Sequence, residues 1–140
     1  MPYIFAVTIL TSHAAADLAE LGLHGGPGEN VTRLAALARD AGCSGVVCSA
    51  HEARDLKRFF GEDFLALTPG IRPSGASHGD QKRVMTPAQA VEAGADYIVV
   101  GRPITESADP VAAARAILDE VDSATPNPSR SASPIRSKES

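Results

Sequence analysis

Tyr97-Ile98-Val99-Val100-Gly101-Arg102-Pro103-Ile104-Thr105 passes from four apolar residues straight into a glycine, an arginine and a proline. The first part reads as a short buried strand. The second reads as a turn that places an arginine where the strand ends. Three further runs fit the same strand pattern: Tyr3 to Leu10, Gly45 to Ser49 and Phe64 to Thr68. All four are rich in Val, Ile and Leu with little alternation, which predicts strands buried on both faces of a parallel sheet.

Helical patterns separate the runs. Asn30 to Ala41 sets Val31, Leu34, Ala35, Leu37, Ala38 and Ala41 on one side, with Arg33, Arg39 and Asp40 mostly elsewhere. Glu52 to Phe60 is a second helix, ended by Gly61. Thr86-Pro87 and Asp109-Pro110 each place a capping residue before a proline at the first helical position. The helix after Thr86 should end at Gly94, and the last should run from about Pro110 to Val121. The order is β-α-β-α-β-α-β-α, which predicts right-handed parallel βαβ units. From Ser123 the chain turns to Ser and Pro with little to bury. Residues 1–122 are therefore expected to form the folded domain and 123–140 a disordered tail.

Composition narrows the function. A net charge of -4 argues against a nucleic-acid surface, where a basic stripe is expected. The two cysteines, Cys43 and Cys48, are too few for a disulfide framework and read as reduced thiols in a cytoplasmic protein. The apolar opening from Tyr3 to Leu10 lacks a basic leader and is too short to span a bilayer, so no membrane association is expected. His13, His24, His51 and His78 are scattered, and His51-Glu52 does not complete a His-Glu-x-x-His motif, so no metal is expected. Gly22 to Gly28 lacks the Gly-Lys-Ser/Thr ending of a phosphate loop and is read as a flexible connection.

In parallel α/β folds, ligands bind at the carboxyl ends of the strands. Those ends here carry Thr11, Ser12 and His13; Ser49 and His51; Thr68 to Pro73; and Gly101 to Thr105. Small, hydroxyl-bearing and arginine residues suit an anion and a polar ring. Gly101 lets backbone N–H groups come close to a ligand. Arg102 offers a planar fork for bidentate phosphate contact, although an ordinary ion pair at the rim is the other reading. The segment from Ile71 to Met85 holds Gly75, Gly79, Arg72, Asp80, Gln81, Lys82 and Arg83, the makeup of a mobile polar lid. Gln81 can both donate and accept, which suits bridging a phosphate and a base edge.

Six segments together carry a family resemblance: Ala6-Val7-Thr8-Ile9-Leu10-Thr11-Ser12, Gly45-Val46-Val47-Cys48-Ser49-Ala50, Thr68-Pro69-Gly70-Ile71-Arg72-Pro73, Gly79-Asp80-Gln81-Lys82-Arg83, Met85-Thr86-Pro87-Ala88-Gln89-Ala90 and Val100-Gly101-Arg102-Pro103-Ile104. In their order and spacing the chain resembles bacterial orotidine 5′-phosphate decarboxylase from Tyr3 to Val121. The resemblance implies the C-terminal half of a (β/α)₈ TIM barrel, four βα units with parallel strands. It also implies a cofactor-free decarboxylation of orotidine 5′-monophosphate to UMP. Arg72, Gln81, Gly101 and Arg102 would lie on the substrate phosphate side, Thr11 at the substrate and Ser12 at the pyrimidine edge. A homodimer is implied as well.

The family's catalytic hallmark, Asp-x-Lys-x-x-Asp, is missing. Asp55-Leu56-Lys57 begins it but meets Phe60, and Asp80-Gln81-Lys82 begins it but meets Met85. No catalytic residue is therefore expected in this chain, and the family's first four strands are expected to precede Met1. Alone, the chain should be inactive, and its two open sheet edges should invite association. Two other readings stand beside this one: a non-catalytic phosphate-binding or assembly module, and another phosphate-binding barrel enzyme acting on a sugar phosphate.

Overall fold

The computed structural model describes residues 2–9, 15–73 and 85–124, and within them four short strands form one parallel sheet. The strands are β1 (Phe5–Val7), β2 (Gly45–Val47), β3 (Leu65–Thr68) and β4 (Tyr97–Ile98), and they lie side by side in chain order. Ala6 stands opposite Val46, Val46 opposite Ala66, and Thr68 opposite Ile98. Between and after them run α1 (Ala15–Glu20), α2 (Pro27–Asp40), α3 (Ala50–Phe60), α4 (Pro87–Ala93), α5 (Arg102–Thr105) and α6 (Pro110–Ser123).

Side chains alternate across a strand, and that decides where the core sits. Val46 and Ala66 face the helices and pack with Val31, Ala35 and Ala38 of α2 and Ala53 and Leu56 of α3, and Ala6 packs against the same cluster. A second cluster joins Ala50, Ile71, Ala90 and Ala95, with Ile98 and Val100 against it. The other face carries Phe5, Val7, Val47, Leu65, Leu67, Tyr97 and Val99, all half-buried or exposed. Burial on both faces, expected from the apolar runs, is thus found on one face among the described residues.

Local chemistry explains the helix ends. The Ser49 hydroxyl accepts from the His51 N–H at 3.2 Å, so α3 starts two residues before Glu52. At α4 the Thr86 hydroxyl accepts from the Gln89 N–H at 3.2 Å, and the Thr86 N–H donates to Gln89 Oε1 at 3.0 Å, a reciprocal capping box. Gly94, at φ 102°, ends that helix in the left-handed region. Asp109 caps α6 through the Ala112 N–H at 3.1 Å. That helix runs through Ser123, one residue past the expected boundary, and residues 125–140 of the expected tail lie outside the described residues.

Two expectations for α2 change. Pro27 and Gly28 belong to the helix and not to a flexible connection, because Pro27 sits in its first turn with Gly26 as the extended N-cap. Its buried face is Asn30, Val31, Ala35 and Ala38, while Leu37 is exposed and Ala41 is the exposed C-cap. Buried Asn30 is satisfied by the loop before it: its Nδ2 donates to the His24 and Gly26 carbonyls, each at 3.0 Å.

Candidate functional site

Beyond β3 the chain reaches Pro69 and then Gly70, whose φ of 73° turns the backbone as few other residues could. Ile71 then pairs with Met85, and the Arg72 N–H donates to the Met85 carbonyl at 3.0 Å. This clamp closes the base of the Ile71–Met85 segment and holds the buried Arg72 at the strand end. Beyond β4, the Val99 N–H donates to the Thr68 carbonyl at 2.9 Å and keeps the two strand ends together. Gly101 follows, and its carbonyl accepts from the N–H groups of Ile104 and Thr105 at 3.0 and 3.1 Å. That single helical turn fixes Arg102 at its first position.

The two strand ends face one another across a cavity of about 170 Å³, lined by Gly70, Ile71, Arg72, Val99, Gly101 and Arg102 among others. None of the described residues lining it is acidic. Guanidinium groups stay charged at any ordinary pH, so the cavity gathers positive charge. Its size falls below the roughly 300–1,000 Å³ of a cleft that encloses a drug-sized ligand. It therefore suits one anionic end of a ligand rather than a whole nucleotide. A Cβ at Gly101 would meet nothing within 4 Å. The protein's own packing does not require glycine there, and the open space is available to a ligand.

Of the residues singled out from sequence, Arg72, Gly101 and Arg102 thus share one cavity. Thr11, Ser12 and Gln81 lie outside the described residues. Thr8, the residue after β1, donates from its hydroxyl to the Val47 carbonyl at 2.7 Å, so β1 runs beside β2 toward the same end of the sheet. Two larger grooves, about 440 and 610 Å³, lie between α3 and α4 and between α2 and α3. Arg54, Asp55 and Glu92 line the first, and Glu29, Arg33 and Asp55 the second. Opposite charges offset one another in both, and neither sits between strand ends. The smaller cavity has the better chemistry for an anion.

Asp55-Leu56-Lys57, one of the two partial catalytic motifs, is on α3 as its sequence predicts, and the other, Asp80-Gln81-Lys82, lies outside the described residues. Residues two apart do not share a helix face: Asp55 is exposed, whereas Lys57 is buried. The Lys57 ammonium donates to Asp96 Oδ2 at 2.6 Å, to the Phe64 carbonyl at 2.8 Å and to the Glu62 carbonyl at 3.1 Å. Asp96 Oδ2 also accepts from the Ala66 N–H at 2.8 Å. The cluster sits where β3 and β4 begin, the end of the sheet opposite the cavity. Sequence reasoning missed this pair because its members are 39 residues apart, with no periodicity joining them.

Comparison with known proteins gives a consistent result. Residues 1–117 match the profile described as the orotidine 5′-phosphate decarboxylase / HUMPS family. The orotidine 5′-phosphate decarboxylase of Methylobacterium sp. (strain 4-46) is 58% identical over 118 residues, 84% of this chain and 50% of that protein. That of Shewanella sediminis is 59% identical over 116 residues, 83% of this chain and 50% of that protein. The crystal structure of orotidine 5′-phosphate decarboxylase from Lactobacillus acidophilus superposes with a TM-score of 0.71 at 41% identity, over 87% of this chain and 50% of that one. The chain spans about half the length of the relatives it matches.

Proposed function

The chain belongs to the orotidine 5′-phosphate decarboxylase / HUMPS family, and from that premise we propose that it is the substrate-gripping, C-terminal half of an orotidine 5′-phosphate decarboxylase barrel. In the full reaction the bond between pyrimidine ring and carboxylate breaks, carbon dioxide leaves, and the ring carbon takes up a proton to give UMP. No cofactor enters this scheme, and its setting is the cytoplasm. Arg72, Gln81, Gly101 and Arg102 hold the 5′-phosphate side, while Thr11 contacts the substrate and Ser12 its pyrimidine edge.

One observation carries the reading: Arg72, Gly101 and Arg102 come from two separate loops and line one cavity. Phosphate lies far from the ring, so its binding energy is useful when it organises the reacting end of the substrate. The clamp between Arg72 and Met85 supports this, because it holds Arg72 at the end of β3, where the cavity lies. Relatives more than half identical named for orotidine 5′-phosphate favour a pyrimidine nucleotide over a sugar phosphate.

The proton donor and its acidic partners are not supplied by this chain. Of its two partial Asp-x-Lys segments, Asp55-Leu56-Lys57 is committed to α3, with Lys57 locked in the buried pair, and Asp80-Gln81-Lys82 lies outside the described residues. Groups that act together lose far more than additively when some are absent, so turnover by the chain alone should be undetectable. This same observation favours the second reading, a phosphate-binding module without catalysis.

The test is calorimetric titration of UMP, with uridine as the control lacking phosphate. Wild type should bind UMP well above uridine. Arg102→Ala removes a charge-assisted contact of about 1.5–3 kcal/mol, roughly a 10- to 150-fold loss of UMP affinity, and leaves uridine unaffected. Equal UMP binding by wild type and Arg102→Ala rejects the assignment.

A further inference from the structure

One peptide plane joins the anion cavity to α4. The plane between Met85 and Thr86 is rigid, with its carbonyl and its N–H pointing in opposite directions. The carbonyl accepts from the Arg72 N–H at 3.0 Å. The N–H donates to Gln89 Oε1 at 3.0 Å. Both ends are thus held, one by an arginine that lines the cavity and one by a side chain on α4.

We propose that Gln89 is a positioning residue for the phosphate grip, acting through this plane on Arg72. The role rests on the phosphate reading above and extends it to a residue outside the cavity. Gln89 lines the groove between α3 and α4, whereas Arg72, Gly101 and Arg102 line the cavity between the strand ends. It reaches the anion only through the backbone.

A residue before proline is confined to extended backbone, and Thr86, before the buried Pro87, sits at ψ 159°. On the other side Met85 pairs with Ile71. The freedom left to the plane is rotation about the line between its two Cα atoms, which would swing the carbonyl away from Arg72. An acceptor held opposite the N–H resists that rotation. Gln89 is itself held, because its own N–H donates to the Thr86 hydroxyl at 3.2 Å. Its neighbour Ala90 shares a core cluster with Ile71, the residue before Arg72. Hydrogen bonds at the two ends of one amide also polarise it and strengthen each other.

The experiment is calorimetric titration of UMP and of uridine into the full chain, with amide hydrogen exchange at Arg72 read without ligand. Gln89 is exposed and leucine is a good helix former, so Gln89→Leu removes the acceptor and leaves α4 folded. It should weaken UMP binding roughly three- to tenfold, the scale of one lost hydrogen bond. Uridine binding should not change, and exchange at Arg72 should quicken. Gln89→Glu keeps an acceptor at that position of the capping box and should restore both. Thr86→Ala removes the other half of the box but spares the link from the plane to Gln89, so UMP binding and exchange at Arg72 should stay as in wild type. Gln89→Ala takes the place of the leucine variant if that one does not fold. UMP affinity unchanged without the Gln89 acceptor, an equal loss in Thr86→Ala, or no rescue by Gln89→Glu overturns the role while wild type still prefers UMP to uridine. A wild type without that preference overturns the phosphate reading, and the role with it.

Discussion

Replacing Lys57 by Met keeps most of the side-chain length and removes the charge from the most buried ion pair described. The side chains of Lys57 and Asp96 are 4% and 7% exposed. Lys57→Met leaves the Asp96 carboxylate buried with the Ala66 N–H as a remaining donor, and frees the Glu62 and Phe64 carbonyls from the ammonium they now share. Breaking a buried pair from one side costs about 3–5 kcal/mol, because a charge is stranded away from water. Whole domains are stable by only about 5–15 kcal/mol, so the variant should lose much of its margin. Urea unfolding followed by circular dichroism, at one fixed protein concentration, measures it. With a slope of about 1–3 kcal/mol per molar urea, the midpoint should fall by at least roughly 1 M. The double variant Lys57→Met with Asp96→Leu should recover most of the loss, since an apolar pair of similar volume carries no stranded charge. A loss below about 1 kcal/mol, the level of an exposed pair, would refute the reasoning.

Two further substitutions test the frame around the site. Gly45→Ala would drive a Cβ into the Leu65 carbonyl oxygen, a backbone atom that cannot step aside; a thermal melt should show destabilisation at or above the roughly 1–3 kcal/mol of overpacking, and an unchanged melting temperature would contradict the register. Thr86→Ala removes one half of the α4 capping box and should cost about 1 kcal/mol, read as faster amide hydrogen exchange in the first turn of α4 with the rest of the chain unaffected.

The strand-and-helix alternation was legible because apolar runs and capping residues are local signals. Ser49, Thr86 and Asp109 announce helix starts whatever packs beside them. Strand lengths were less legible. Tyr3 to Leu10 reads as one run, but the ladder spans only Phe5–Val7, since strand pairing depends on a neighbour that local composition does not contain. Leu37 fits the helical stripe of α2 yet is exposed, while buried Asn30 lies where a polar residue would not be sought. The early start of α2 was within reach, because Pro27 obeys the same first-turn rule used for Pro87 and Pro110. At the site, arginines after strand ends could be read from sequence, and their convergence on one cavity follows from parallel pairing of β3 with β4.

The central claim is that Arg72, Gly101 and Arg102 grip the phosphate of a pyrimidine nucleotide between the ends of β3 and β4. Amide and guanidinium resonances of the isotope-labelled chain, followed by NMR as UMP is added, address it directly. The account predicts that Arg72, Gly101 and Arg102 shift together and saturate with a single dissociation constant, and that inorganic phosphate moves the same signals. Shifts confined to His51, Arg54 and Gln89 in the groove between α3 and α4, with the strand-end signals unmoved, would contradict it.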